Sequence, residues 1–161
     1  MTFWQRMSSS VGAHRVLRAT RFYPPYLGAG VCVTRADKRL REVEVEMKLT
    51  AWNKNYVGTQ FGGSLYSMCD PFYMLRVIEN LGPGYVVWDK SATIDFLKPG
   101  RGRVHARFEL TDEQLARIRD DVEKDGKAYP HFEVTVLDQE GGAVARVGKV
   151  LSVKKRRAPN N

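Results

Sequence analysis

A lone carboxylate in apolar surroundings is the first feature of this chain that suggests chemistry. Asp70 falls among Leu65, Tyr66, Met68, Cys69, Phe72, Tyr73, Met74, Leu75, Val77 and Ile78, shortly after the pair Gly62-Gly63. A charge placed there is costly, so it needs a partner or a purpose. One purpose is to take a proton or to attack an electrophilic carbon. The glycines supply a complement. A helix beginning at them leaves its first N–H groups unpaired and its positive end open, which suits a developing oxyanion. Asn55, ahead of them in Asn55-Tyr-Val-Gly58-Thr59-Gln-Phe61-Gly62-Gly63, offers an amide that either orients a water or holds the loop. Plainer readings stand beside these. The glycines also suit a tight loop-to-helix joint with no ligand. Asp70-Pro71 also has the form of a helix start, with Asp as N-cap and Pro in the first position.

The elements that must position these residues follow from periodicity. Residues 65–78 read as a helix with apolar side chains all round, which predicts a buried rod. A proline inside it predicts a kink that costs about 3 kcal/mol. Residues 2–19 form a weakly amphipathic helix on Phe3, Trp4, Met7, Val11, Val16 and Leu17, stopped by Tyr23-Pro24-Pro25-Tyr26. Strands are expected at Val31–Arg35, Glu42–Leu49, Tyr85–Leu97, Arg103–Leu110, His131–Leu137 and Ala143–Val153, several of them strictly alternating. Thr111-Asp-Glu-Gln114 has the form of a capping box. It opens a helix to about Lys124 whose narrow stripe of Leu115, Ile118 and Val122 places it on the surface. One buried helix held by an antiparallel sheet satisfies this order, an α+β fold. The chain divides into a helix and Pro-containing connector (1–28), the main domain (29–154) and a basic tail (155–161).

Composition narrows the function classes. The 161 residues make one domain with a net charge of +8. The excess sits at the ends, with Arg6, Arg15, Arg18 and Arg21 at one and Arg146, Lys149, Lys154, Lys155, Arg156 and Arg157 at the other. Such ends either attract a polyanion or serve as solvated termini. Cys32 and Cys69 lack metal-like spacing and no leader precedes them, which fits reduced thiols in a cytoplasmic protein. No apolar run is long enough for a membrane span. His14, His105 and His131 form no ligand pattern, so no metal is expected. The basic ends hold too few aromatic residues for a nucleic-acid surface.

Asn55, Gly58, Thr59, Gly62, Gly63 and Asp70 stand in register with Asn-x-x-Gly-Thr-x-His-Gly-Gly-x6-Asp. That pattern resembles the signature of the phenylacetic-acid-degradation-type acyl-CoA thioesterases. The wider run is more specific: Tyr23-Pro-Pro-Tyr26, Phe61-Gly-Gly-Ser-Leu-Tyr66, Asp70-Pro-Phe-Tyr-Met-Leu75 and Val87-Trp-Asp-Lys-Ser-Ala92. It is similar to a bacterial branch of the hotdog fold catalogued as a domain of unknown function and linked to tetrameric acyl-CoA thioesterases. The resemblance spans about residues 22–153. It implies a long helix wrapped by a curved antiparallel sheet, with an N-terminal helix and a surface helical insertion.

It also implies hydrolysis of an acyl thioester of CoA or of an acyl carrier protein, with no cofactor. Asp70 would be nucleophile or base, and the Gly62 N–H, with that of Gly63, the oxyanion hole. The acid of one subunit would meet the glycine loop of another, in a homodimer or dimer of dimers. Phe61 stands where the signature has His, leaving proton handling to Asp70 and water. Asp89, Lys90 and Ser91 lie near the place of an auxiliary hydroxyl residue; Lys90 would pair either with Asp70 or with Asp89. Arg101, Arg103 and the basic tail are candidates for the CoA phosphates. A second reading, favoured by Phe61, is a non-catalytic module that binds or senses acyl thioesters. A hydratase of this fold would need a histidine where Leu75 stands, and is rejected.

Overall fold

A computed structural model describes residues 12–156. Seven strands and five α-helices follow one another in that span. Strands β1 (Val31–Ala36), β2 (Glu42–Lys48), β3 (Tyr85–Phe96), β4 (Arg103–Glu109), β5 (Lys127–Ala128), β6 (His131–Asp138) and β7 (Ala143–Lys155) form one sheet. Its order is β1-β2-β4-β6-β7-β3, every pairing antiparallel, with β5 added against β7. Alternation explains the inner face. Val43, Val45 and Met47 of β2 lie opposite Phe108, Ala106 and Val104 of β4, and all six are buried. Strand β3 pairs with β7 alone and forms one edge of the sheet. Its ladder is interrupted by a bulge: Asp89 pairs with Leu151 and Ser91 with Val150, leaving Lys90 over.

The expected continuous rod is two helices. Helix α3 spans Gly62–Ser67 and α4 spans Phe72–Leu81, with a turn at 68–71 between them. Pro71 is the reason. It has no N–H to give the Ser67 carbonyl, and its ring cannot follow a helical turn. The Cys69 N–H instead reaches back to the Tyr66 carbonyl at 2.8 Å, tightening the end of α3. The rod is also less enclosed than its composition predicts. Phe72, Tyr73, Arg76 and Val77 form the buried face of α4, while Met74, Leu75 and Ile78 are half-buried. Phe72 and Tyr73 pack on Phe108, and Tyr73 stacks on Phe132 at 4.5 Å. That buried face rests on the sheet.

The N-terminal part departs from expectation in one respect. Helix α1 covers Ala13–Ala19 and a 3₁₀ turn covers Thr20–Phe22. The prolines that stop it also start α2, Pro24–Ala29, where they occupy the first turn and need no N–H partner. Phe3, Trp4, Met7 and Val11 lie outside the described residues. Helix α5 (Asp112–Asp125) has the expected capping box, in which Thr111 Oγ accepts from the Gln114 N–H and Gln114 returns the bond. Its stripe of Leu115, Ile118 and Val122 is buried and the rest of its length is mostly exposed.

The core carries a consequence for alkaline stability. Burial, with Asp70's charge adding, pushes the Cys69 thiol up to about 12 from 9.0. Burial likewise lifts Tyr73 to about 12 from 10.0 and raises Tyr26. The fold keeps these groups neutral where the unfolded chain ionises them. Their contribution is complete below the unfolded values and is lost as pH climbs through the folded ones. The melting temperature followed by circular dichroism should therefore fall between about pH 9 and 12. A melting temperature that stays level across that window contradicts this.

Candidate active site

The loop before α3 is built by Asn55. Its Oδ1 accepts from the Val57 and Thr59 N–H groups at 3.1 and 2.9 Å. Its Nδ2 donates to Thr59 Oγ1 at 2.9 Å and to the Gln60 carbonyl at 3.3 Å. Both donors and the acceptor are thus engaged, so of the two roles expected for Asn55 the geometry matches the loop-holding one. Gln60 ties the loop to the sheet through Nε2 to the Gly102 carbonyl at 3.0 Å.

Phe61 precedes α3, and its carbonyl accepts from Ser64 and Leu65. The N–H groups of Gly62 and Gly63 carry no hydrogen bond among the described residues. Rings lie close over both glycines: a Cβ on Gly62 would stand 2.9 Å from Phe96 Cζ and one on Gly63 2.5 Å from Phe61 Cε1, so either substitution would push an exposed ring aside. Phe61 itself is 55% exposed. Open recesses lie on either side of this step. One, of about 420 Å³, is lined by Trp52, Lys54, Phe61, Gly63 and Ser67; the other, of about 410 Å³, by Asn55, Gly62, Leu65, Phe96 and Leu97. Asp70 lines neither of these two.

Asp70 lies in the turn between α3 and α4. It caps no helix: Pro71 precedes α4, which has no side-chain cap. Asp70 is not buried either, its side chain being 43% exposed. The helix breaks there and the carboxylate emerges. What is buried is its partner. Lys149 of β7, with a side chain 1% exposed, donates to Asp70 Oδ1 at 2.8 Å and pairs with Asp89 Oδ1 at 2.9 Å. Tyr66, one turn before Asp70, donates its hydroxyl to the same Oδ1 at 2.6 Å. Asp70 Oδ2 carries no hydrogen bond among the described residues. Burial works against the charge on Lys149, but the bonds and charges of the two carboxylates more than reverse it, so its affinity for the proton is raised. Burial, then the bond to Asp70, also raises Tyr66, which stays a donor.

Sequence reasoning missed Lys149 by counting it with the basic end of the chain. The signal was present: Ala145, Val147, Lys149, Leu151 and Val153 share one phase of an alternating strand, and that phase is buried. The expected partnerships of Lys90 are both replaced. Asp89 turns to Lys149, and Lys90 lies over the Tyr129 ring at 3.7 Å. Ser91 is exposed, opposite Val150. Arg103 is held by Glu46 at 2.6 Å, while Arg101 is exposed in the turn before β4. Asn55 and Gly62 are brought to one recess; Asp70 and Asp89 meet at Lys149.

Comparison with solved structures gives the fold a name. A Pseudomonas aeruginosa protein of unknown function, described as a probable thioesterase, superposes with a TM-score of 0.78 at 17% identity, over 88% of this chain and 95% of that one. A Chlorobaculum tepidum protein of unknown function gives 0.71 at 18% identity, over 88% and 94%. A Haemophilus influenzae thioesterase gives 0.66 at 14% identity, over 91% and 94%. At such identities the likeness is one of fold, the hotdog fold. No curated protein matches the sequence. A family model described as "Domain of unknown function (DUF4442)" matches residues 12–153, nine-tenths of the chain, and the chain belongs to that family.

Proposed function

We propose that this protein hydrolyses an acyl thioester, carried by CoA or an acyl carrier protein, at a site shared between two copies of the chain. The observation that carries the reading is the state of Asp70. One carboxylate oxygen is pinned by Lys149 and Tyr66, the other has no hydrogen-bond partner among the described residues, and the side chain is partly exposed. The α3 N–H pair supplies the complementary part. Free Oδ2 either adds to the thioester carbonyl, expelling the thiolate as the C–S bond breaks and leaving a mixed anhydride that water hydrolyses with its proton passing to the thiolate, or takes a proton from water whose oxygen adds there. In the second case the oxyanion meets the Gly62 and Gly63 N–H groups, the C–S bond breaks, and the thiolate leaves and takes the proton. A carboxylic acid and a thiol result.

A second copy is supported by the layout of the chain. Asp70 lies in the turn beyond the far end of α3 from Gly62 and lines neither recess beside the glycine step. The open edge of β3, which carries Asp89 and the exposed Trp88, is a surface where another copy can dock. Several hotdog structures similar to this one are thioesterases by description. Arg101 is the exposed cation we assign to the CoA phosphates. The second reading, a binding or sensing module, is favoured by Phe61, which leaves no imidazole at the glycine step.

The two readings separate when purified protein is offered acyl-CoAs of graded chain length and free thiol is measured. Steady release with a chain-length optimum is the expected result. Tight binding with no release defeats the hydrolytic reading in favour of the module.

A further inference from the structure

We propose that Lys149 is a positioning residue: from inside the sheet it fixes Asp70 Oδ1 so that Oδ2 faces the substrate. This rests on the hydrolytic role given to Asp70 above. Four observations support it. The ammonium is almost fully buried, yet it meets the carboxylate at 2.8 Å, so strand β7 sets the direction of the bond. A lysine in an apolar strand face is costly unless paired, and here it is paired twice. Tyr66, four residues earlier on α3, bonds the same oxygen, so among the described residues two donors converge on Oδ1 and none on Oδ2. Finally, Asp89 lies on β3 opposite Leu151, two residues from Lys149 on β7, and so reaches the ammonium from the neighbouring strand.

The division of labour within the cluster is chemical. One ammonium faces two carboxylates, so the group of three bears a net negative charge. Asp89 takes part of the ammonium's attraction. Asp70 is therefore oriented by a charge that does not fully neutralise it, and its free oxygen remains an effective base or nucleophile.

The test uses the full chain and the best acyl-CoA substrate. Lys149→Met keeps the length of the side chain and removes the charge. It should lower kcat by about a hundredfold, the scale of a misplaced reacting group, with KM within about twofold. Tyr66→Phe keeps the ring and removes one donor to Oδ1; a fall in kcat of about tenfold is expected, again with KM unmoved. Lys154→Met, an exposed change on the same strand, serves as the control and should leave both constants alone. Should Lys149→Met fail to fold, the Tyr66→Phe result decides. Unchanged kcat in the folded variants, or a rise in KM alone, overturns the positioning role. If Asp70→Asn retains full turnover, it is the hydrolytic reading itself that fails, and this inference falls with it.

Discussion

Asp70→Asn should bind acyl-CoA as the native protein does and release thiol about a thousandfold more slowly, within the range that a lost general base costs. The substitution is close to isosteric. Its amide oxygen can still accept from Tyr66 and Lys149, which hold Oδ1 in the native protein at 2.6 and 2.8 Å. Lys149 also keeps Asp89 as an ionic partner, so a buried ammonium is not left alone. The change therefore spares the fold and removes only the negative charge that could attack or accept a proton. The expected signature is a loss in kcat with the dissociation constant of the acyl-CoA unmoved. Circular dichroism and the melting temperature establish that the variant is folded. Retained turnover in a folded variant would mean that the carboxylate does not do the chemistry.

The largest expected effect on stability lies elsewhere, at Arg76. Its side chain is wholly buried on α4 and has no carboxylate partner among the described residues. Instead Nε donates to the Leu40 carbonyl at 2.7 Å and Nη2 to the Arg41 carbonyl, and the guanidinium lies over the Tyr73 ring. Burial lowers its affinity for the proton to about 10, which still leaves it charged at neutral pH. These bonds secure the connection between β1 and β2, where Leu40 holds a positive φ of 52°. Arg76→Ala would leave the Leu40 carbonyl without its donor, the Arg41 carbonyl with only the Leu110 N–H, and a cavity beside the Tyr73 ring. The expected loss is about 3–5 kcal/mol in urea unfolding, the sum of an orphaned carbonyl and a large-to-small change. A loss below about 1 kcal/mol would show that water or a rearranged turn replaces the guanidinium.

Arg76 also marks the limit of what could be read from the chain alone. The strands were legible because alternation is a local property, and so was the capping box at Thr111. The family signature located the glycine step and Asp70. The break in the rod was half legible: Pro71 announces a kink, but whether the helix bends or ends depends on tertiary packing. The partners of the charged residues were the hidden part. Asp89 reaches Lys149 across the ladder between β3 and β7, and the register of that ladder is set by pairing, not by composition. Arg76 stands among apolar neighbours in sequence, and its acceptors are backbone carbonyls far along the chain, which no side-chain pattern reveals.

The irregularity at Lys90 has one more consequence, for self-association rather than chemistry. A twelve-residue border strand with free amides and carbonyls is a seed on which fibrils grow. Here the extra residue throws that row out of step near its middle. An arbitrary extended segment can zip along it only as far as the fault, whereas a chain bearing a matching fault can continue past it. A fault in the middle of an edge strand is thus a device against open-ended pairing along it.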